Sequence, residues 1–220
     1  MTGPTNKSKE RKLEIMRAAQ QLFNTRGFNE TSINDIMKRA GGAKGAFYYY
    51  FTTKDDILCT LVDQNIEEIA AAMRAVSQKT KIDPIQKLKL MLLEELRISA
   101  KSNEYQSHLH NIKNVDMHQR IMIAMVEKLA PVIGEVVRQG VDEGAFKTEY
   151  PLEVSELIIT GVHFIIDLGI FNWNNSQYMK RVKASAELIE KSLGIEAGTF
   201  DFLESMLEGT PDRIKKGNEV

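Results

Sequence analysis

The sequence predicts an all-α protein of about nine or ten helices. Three observations carry that prediction. Apolar residues recur at spacings of three and four along nearly the whole chain, the period of a helix with one buried stripe. No segment shows the alternation of a half-buried strand. Only 5 prolines and 14 glycines interrupt 220 residues, so long helices are permitted. With 43% hydrophobic and 27% charged residues, the composition is that of an ordinary globular chain, long enough to bury a substantial core.

The first helix is expected from about Lys7 to Arg26, with Ile15, Met16, Ala19, Leu22 and Phe23 as its buried stripe. Gly27 ends it, since glycine takes positive φ at low cost. A short helix follows over Ile33–Ala40. Thr31 and Ser32 offer N-cap oxygens, and Ser32 with Asp35 has the spacing of a capping box. Gly41 and Gly42 break that helix. A third is expected over Lys44–Phe51, and Thr53 caps a long fourth over Lys54–Lys79, with Asp56 in its first turn.

Asp83-Pro84 is a cap followed by a proline at the first helical position, and starts a helix that runs to about Ala100. A shorter helix is expected over Glu104–Ile112, then one from Met117 to Gly144 kinked at Pro131. Two long helices, Leu152–Trp173 and Gln177–Leu193, precede a short one near Thr199–Leu207 and a charged tail.

Charge is unevenly distributed. Residues 1–54 hold ten Lys and Arg against four Asp and Glu, a net +6, which leaves −7 for the remainder. That is the pattern of a basic module for a polyanion on an acidic body. The single cysteine, Cys59, excludes an intrachain disulfide and suits a reducing cytoplasm. The polar stretch Met1–Lys12 has no apolar core of a signal peptide. Leu157–Phe171 is too short and too polar to span a bilayer. A cytoplasmic protein without membrane contact is therefore expected.

The most specific signal is TSINDIMKRAGGAKGAFYYYFTTK, residues 31–54. Two short helices flank a tight glycine turn. Ile33, Ile36, Met37 and Ala40 face inward from the first, and Phe47 and Phe51 from the second. Lys44, Ala46, Tyr48 and Tyr49 are left outward. With AAQQLFNTRGF before it and Lys54 after it, this stretch resembles the DNA-binding module of the TetR family of transcriptional regulators (the TetR/AcrR-type helix-turn-helix). The resemblance covers about the first quarter of the chain. Two positions depart from the family pattern. Met37 stands where Ala is usual, and Gly42-Ala43 where Val-Ser or Val-Thr usually supplies a capping hydroxyl.

The resemblance implies two domains. Residues 1–54 form a three-helix helix-turn-helix module that binds DNA. Residues 55–220 form a helical domain for ligand sensing and dimerisation. It implies that the third helix enters the major groove of a double-stranded operator. The expected DNA contacts are Thr31, Ser32, Lys44, Gly45, Ala46, Tyr48, Tyr49 and Lys54. Most position the protein on phosphates, with Lys44 reaching a base edge or a phosphate and the Ala46 methyl close to a thymine methyl. The family's effector pocket lies among the middle helices. Candidate liners here are Leu92, Tyr105, His108, Met122, Met125, His163, Phe164 and Asp167. His163 and Asp167, at i and i+4, read either as a polar anchor in a cavity or as an intrahelical pair that satisfies a semi-buried histidine.

The last two long helices are apolar on more than one side, which calls for a second subunit to cover one face. The homodimer interface is expected at Leu157, Gly161, Ile165, Leu168, Val182, Ala186 and Ile189, in keeping with the family's arrangement. Metal and cofactors are not expected. His108 and His110 do not share a helix face, and neither they nor His118 have a carboxylate or cysteine cluster beside them. Cys59 has no second thiol to act as a redox switch. No nucleophile motif, phosphate-cradling loop or paired carboxylate motif points to an enzyme. A ligand-responsive repressor is the leading expectation, released from a palindromic operator by a small apolar or amphipathic effector. The alternative is a DNA-binding regulator without a small-molecule ligand, controlled by a protein partner.

Overall fold

The computed structural model describes residues 6–100, 115–168, 170–208 and 210. Ten helices lie among them, and no strand. They are α1 (Asn6–Arg26), α2 (Ile33–Arg39), α3 (Lys44–Tyr48), α4 (Lys54–Ser77), α5 (Pro84–Ala100), α6 (Val115–Lys128), α7 (Ala130–Asp142), α8 (Pro151–Ile165), α9 (Asn175–Leu193) and α10 (Phe202–Leu207). The helix expected over 104–112 falls outside the described residues.

Local chemistry sets most of the boundaries. α1 ends at Gly27, whose φ of 85° suits only glycine well. α2, α4 and α9 each begin with a reciprocal capping box, Ser32–Asp35, Thr53–Asp56 and Asn174–Gln177. Hydrogen bonds from Ser32 hold the Asp35 carboxyl below its ordinary pKa, and the backbone N–H groups of Thr53 and Thr52 do the same for Asp56. Pro131 lacks the N–H that would bond back one turn. The chain therefore divides at Leu129 into α6 and α7.

α3 stops at Tyr48, short of the expected Phe51, and α10 starts at Phe202 rather than near Thr199, but the largest departure from the expected boundaries is in α8. α8 stops at Ile165 and does not reach Trp173. Beyond it, Asp167 is drawn inward to His118 of α6, with Oδ2 and Nε2 3.1 Å apart. The Ile165 carbonyl at the end of α8 accepts from the indole N–H of Trp173 at 2.9 Å. Tertiary partners outbid the apolar periodicity there.

The core has two connected parts. One runs continuously from α1 through α3 and α4 into α5, α6 and α7. The other gathers Val137, Phe146, Tyr178, Val182, Ala186, Leu193 and Phe200 beneath α8. α4 packs along α5, and α7 along α8. Lys87 is buried where α4, α5 and α7 meet. Its ammonium donates to the Ser77 carbonyl at the end of α4 and to Gln139 Oε1 at 2.7 Å. No helix among the described residues is long and apolar enough to cross a membrane.

Candidate nucleic-acid interface and effector cavity

α1, α2 and α3 close around Ile15, Ala19, Phe23, Ile36, Met37 and Phe47, all essentially inaccessible to solvent. Met37 fits this core fully buried. The α2–α3 turn is held from outside by α1. Arg11 donates from Nη1 to the Ala40 carbonyl at 2.7 Å and pairs with Glu14 at 2.6 Å. A cation at the C-terminal end of α2 also suits its dipole. The Arg11 guanidinium occupies the space beside Gly42, where a Cβ would lie 2.1 Å from Nη2. Sequence reasoning missed Arg11. The paired glycines carry a signal for a close approach, but nothing local names the side chain that approaches.

α3 presents a bare outer face. Lys44 and Gly45 are exposed, Tyr48 is 54% exposed and Tyr49 is 77% exposed. No heavy atom lies within 4 Å of a Cβ built at Gly45. Ala43 caps α3 without a side-chain hydrogen bond, as its missing hydroxyl requires. Ala46 is half-buried against the core. Tyr50 also packs on the core, with its hydroxyl 3.5 Å from Ser8 Oγ. The exposed ammonium of Lys44 and the hydroxyls of Tyr48 and, just past α3, Tyr49 are of the chemistry that engages phosphate oxygens and base edges.

Three expected contacts are placed elsewhere. Thr31 is buried, and its hydroxyl donates to the Gly27 carbonyl at 2.7 Å. The Ser32 hydroxyl, though exposed, is committed to its capping box. Lys54 folds back onto the α1–α2 loop. Its ammonium donates to the Phe28 and Thr31 carbonyls and lies 4.1 Å over the Phe28 ring. Burial lowers the Lys54 pKa, against the opposing charges of Asp55 and Glu30. In this structure Thr31 and Lys54 act as internal braces of the α1–α2 loop.

The second site is a cavity of about 130 Å³ between α4, α5, α7, α8 and α9. Met73, Met91, Leu92, Ile159, Val162 and Leu193 are among its apolar walls. Glu95, His163 and Ser155 supply its polar surface. Glu95 Oε1 and His163 Nε2 are 3.0 Å apart. Burial disfavours the His163 cation, but the charge and hydrogen bond of Glu95, aided by Asp167, outweigh it and raise the pKa above the ordinary value. Ser155 is fully buried and donates to the Pro151 carbonyl at 2.7 Å.

Of the expected liners, Leu92 and His163 reach this cavity. Tyr105 and His108 lie outside the described residues. Met122 and Met125 pack instead in the core shared by α4 and α6. Phe164 is 45% exposed and meets His118 and Phe171 edge-on. α8 ends between His163 and Asp167, and each has a partner on another helix, Glu95 and His118 respectively. Cys59 is half-buried, and burial raises its thiol pKa, which suits an inert thiol.

The expected dimer residues also divide. Val182, Ala186 and Ile189 belong to the protomer core. α9 turns Ala184 and Leu188 outward instead, Leu188 being 63% exposed. Leu157 is 73% exposed, and Gly161 faces open space. Ile165 and Leu168 are half-buried.

Comparison with known proteins bears on this arrangement. Residues 15–59 match the model for bacterial regulatory proteins of the tetR family, and residues 97–188 match a tetracyclin repressor-like C-terminal domain. The chain belongs to the TetR family. This family is one of DNA-binding regulators and not of enzymes. The HTH-type transcriptional regulator TtgR of Pseudomonas putida is 30% identical over 107 residues, 47% of this chain and 51% of that protein. The chain thus spans about half the length of the first curated relatives it matches. Two solved structures align more completely. RolR in complex with resorcinol has a TM-score of 0.64 at 17% identity, covering 90% of this chain and 94% of its own. The repressor FadR of Thermus thermophilus, in complex with lauroyl-CoA, has a TM-score of 0.62 at 17% identity, covering 85% and 97%.

Proposed function

We propose that this TetR-family chain is a ligand-responsive transcriptional repressor that works in the cytoplasm as a homodimer on a palindromic double-stranded operator. Residues 1–54 serve as the DNA-binding domain, and residues 55–220 as the sensing and dimerisation domain. The bare α3 face carries this reading. Lys44 and Tyr48 stand in solvent on α3, with Tyr49 just past its end, while Phe47 is sealed into the core, and adjacent exposed aromatics with a cation between core-bound neighbours suit a surface that another molecule covers. Lys44, Gly45 and Ala46 meet the major groove, and Tyr48 and Tyr49 bond phosphates.

The cavity supports the sensing half. Its wall includes Met73 of α4, the helix whose first residue, Lys54, grips the α1–α2 loop. Those residues are 19 positions apart, about 28 Å along a helix, so a displacement of α4 at the cavity is delivered to the module. An effector must favour one position of α4 over the other to release DNA. RolR with resorcinol and FadR with lauroyl-CoA lend precedent on the same fold. The dimer is supported by the outward apolar positions Leu157, Gly161 and Phe164 on α8, spaced along one face, and Ala184 and Leu188 on α9.

Selection of a binding site from random duplex DNA tests the reading. A palindromic site is expected, with affinity falling steeply as salt rises, by about 0.9 log units per neutralised phosphate and log unit of salt. Failure to select any site would overturn it.

A further inference from the structure

The polar groups of the cavity define what it accepts. Its volume, about 130 Å³, is close to the roughly 150 Å³ apolar cavity that holds a benzene ring. A single ring or a short branched chain fills that volume. Apolar side chains form most of the lining.

The exceptions are two acceptors and one donor already in use. Glu95 is buried with one oxygen on His163. Among the described residues, its second oxygen accepts no hydrogen bond. Ser155 has spent its proton on the Pro151 carbonyl, and its oxygen keeps lone pairs. As a carboxylate–imidazolium pair, Glu95 and His163 are neutral together, so neither an anion nor a cation gains net attraction. An anion also places like charge beside a buried carboxylate, which is costly in a low-dielectric site. A neutral hydroxyl donates to an oxygen that accepts no hydrogen bond among the described residues.

We infer that the effector is a small, uncharged, apolar molecule bearing a hydroxyl group, of the size of a single phenolic ring, with its O–H donated to Glu95 at the α5–α8 side of the cavity. Glu95 is then the specificity-determining residue. The inference rests on the effector-responsive reading above and assigns its ligand class.

Calorimetric titration of the full chain at pH 7 with phenol, toluene, benzoate and dodecanoate tests it. Phenol is expected to bind about tenfold more tightly than toluene, the worth of one hydrogen bond to a charged acceptor. Benzoate and dodecanoate are expected to give no heat of binding. In Glu95→Gln the preference for phenol over toluene should shrink to a few-fold. Ser155→Ala, a smaller change in the same wall, should reduce it less. If Glu95→Gln does not fold, the phenol-to-toluene ratio of the unmodified chain still decides. Equal binding of phenol and toluene, tighter binding of either anion, or no binding of any probe overturns the inference. The two readings fail separately. An operator-binding chain that takes none of the probes loses the ligand class and keeps the DNA function. A chain that binds phenol but stays on its operator keeps the site and loses the effector role.

Discussion

The helix-turn-helix module and the helical body treat polar side chains in opposite ways. In the module, Lys44, Tyr48 and Tyr49 remain in solvent, and the hydrogen bonds that shape α2 and the start of α4 are made three residues apart. In the body, Lys87, Glu95, Asp167 and Glu190 are buried. Each is satisfied by a residue at least ten positions away: Ser77 and Gln139, His163, His118, and the N–H of Phe200. The helix boundaries next to the exposed α3 residues are thus set by short-range bonds, with Arg11 bracing the turn from α1, whereas the body's buried polar groups depend on long-range contacts that repacking can exchange. Lys54 stands at the junction. It is in the family's DNA-binding motif by sequence, but it behaves like the buried groups of the body.

Four perturbations break or sharpen that contrast. The largest effect is expected for Lys87→Met. It leaves the Ser77 carbonyl and the Gln139 amide without their donor, at about 2–3 kcal/mol of stability. Denaturant melts should show it, while the operator affinity of the folded fraction stays unchanged. Lys54→Met comes next. It removes a brace and not a phosphate contact, so stability falls by about 1–2 kcal/mol. DNA binding weakens, but the slope of log affinity against log salt is preserved. A slope reduced by about 0.9 would instead restore Lys54 as a phosphate ligand.

Tyr49→Phe removes one exposed hydroxyl. Operator affinity should fall by about 0.5–1.5 kcal/mol with no change in melting temperature, as read by fluorescence anisotropy and calorimetry. The smallest effect is the pH dependence of His163. Its folded pKa is raised above 6.5 by Glu95 and Asp167 against burial. The stability it contributes is therefore fully present below about pH 6.5 and lost as pH rises through the raised value. Melting temperatures from pH 5.5 to 8.5 should decline over that window in the unmodified chain. The decline should flatten in Glu95→Gln.

Sequence legibility follows the same division. The Ser32–Asp35 and Thr53–Asp56 boxes, the Gly27 stop and the inward Phe47 and Phe51 were readable because each depends on neighbours within one turn. The cavity was only partly readable. Leu92 and His163 were found, but Glu95 was not, since a charged residue on an amphipathic helix looks like a solvated one until its long-range partner is known. Val182, Ala186 and Ile189 were expected at a subunit interface because periodicity shows that a face is apolar without showing what covers it.

The amino-acid sequence by itself determined the all-α class, the helix-turn-helix with its glycine turn, and the net positive charge of residues 1–54. These follow from period, caps and composition, which act locally. Tertiary structure alone decided that Lys54 braces the α1–α2 loop, that Arg11 seals the turn at Gly42, that α8 ends at Ile165, and that Glu95 meets His163 in a cavity. Those outcomes depend on which distant donor and acceptor come within about 3 Å once the helices pack, and burial makes leaving such a group unpaired too costly to allow otherwise.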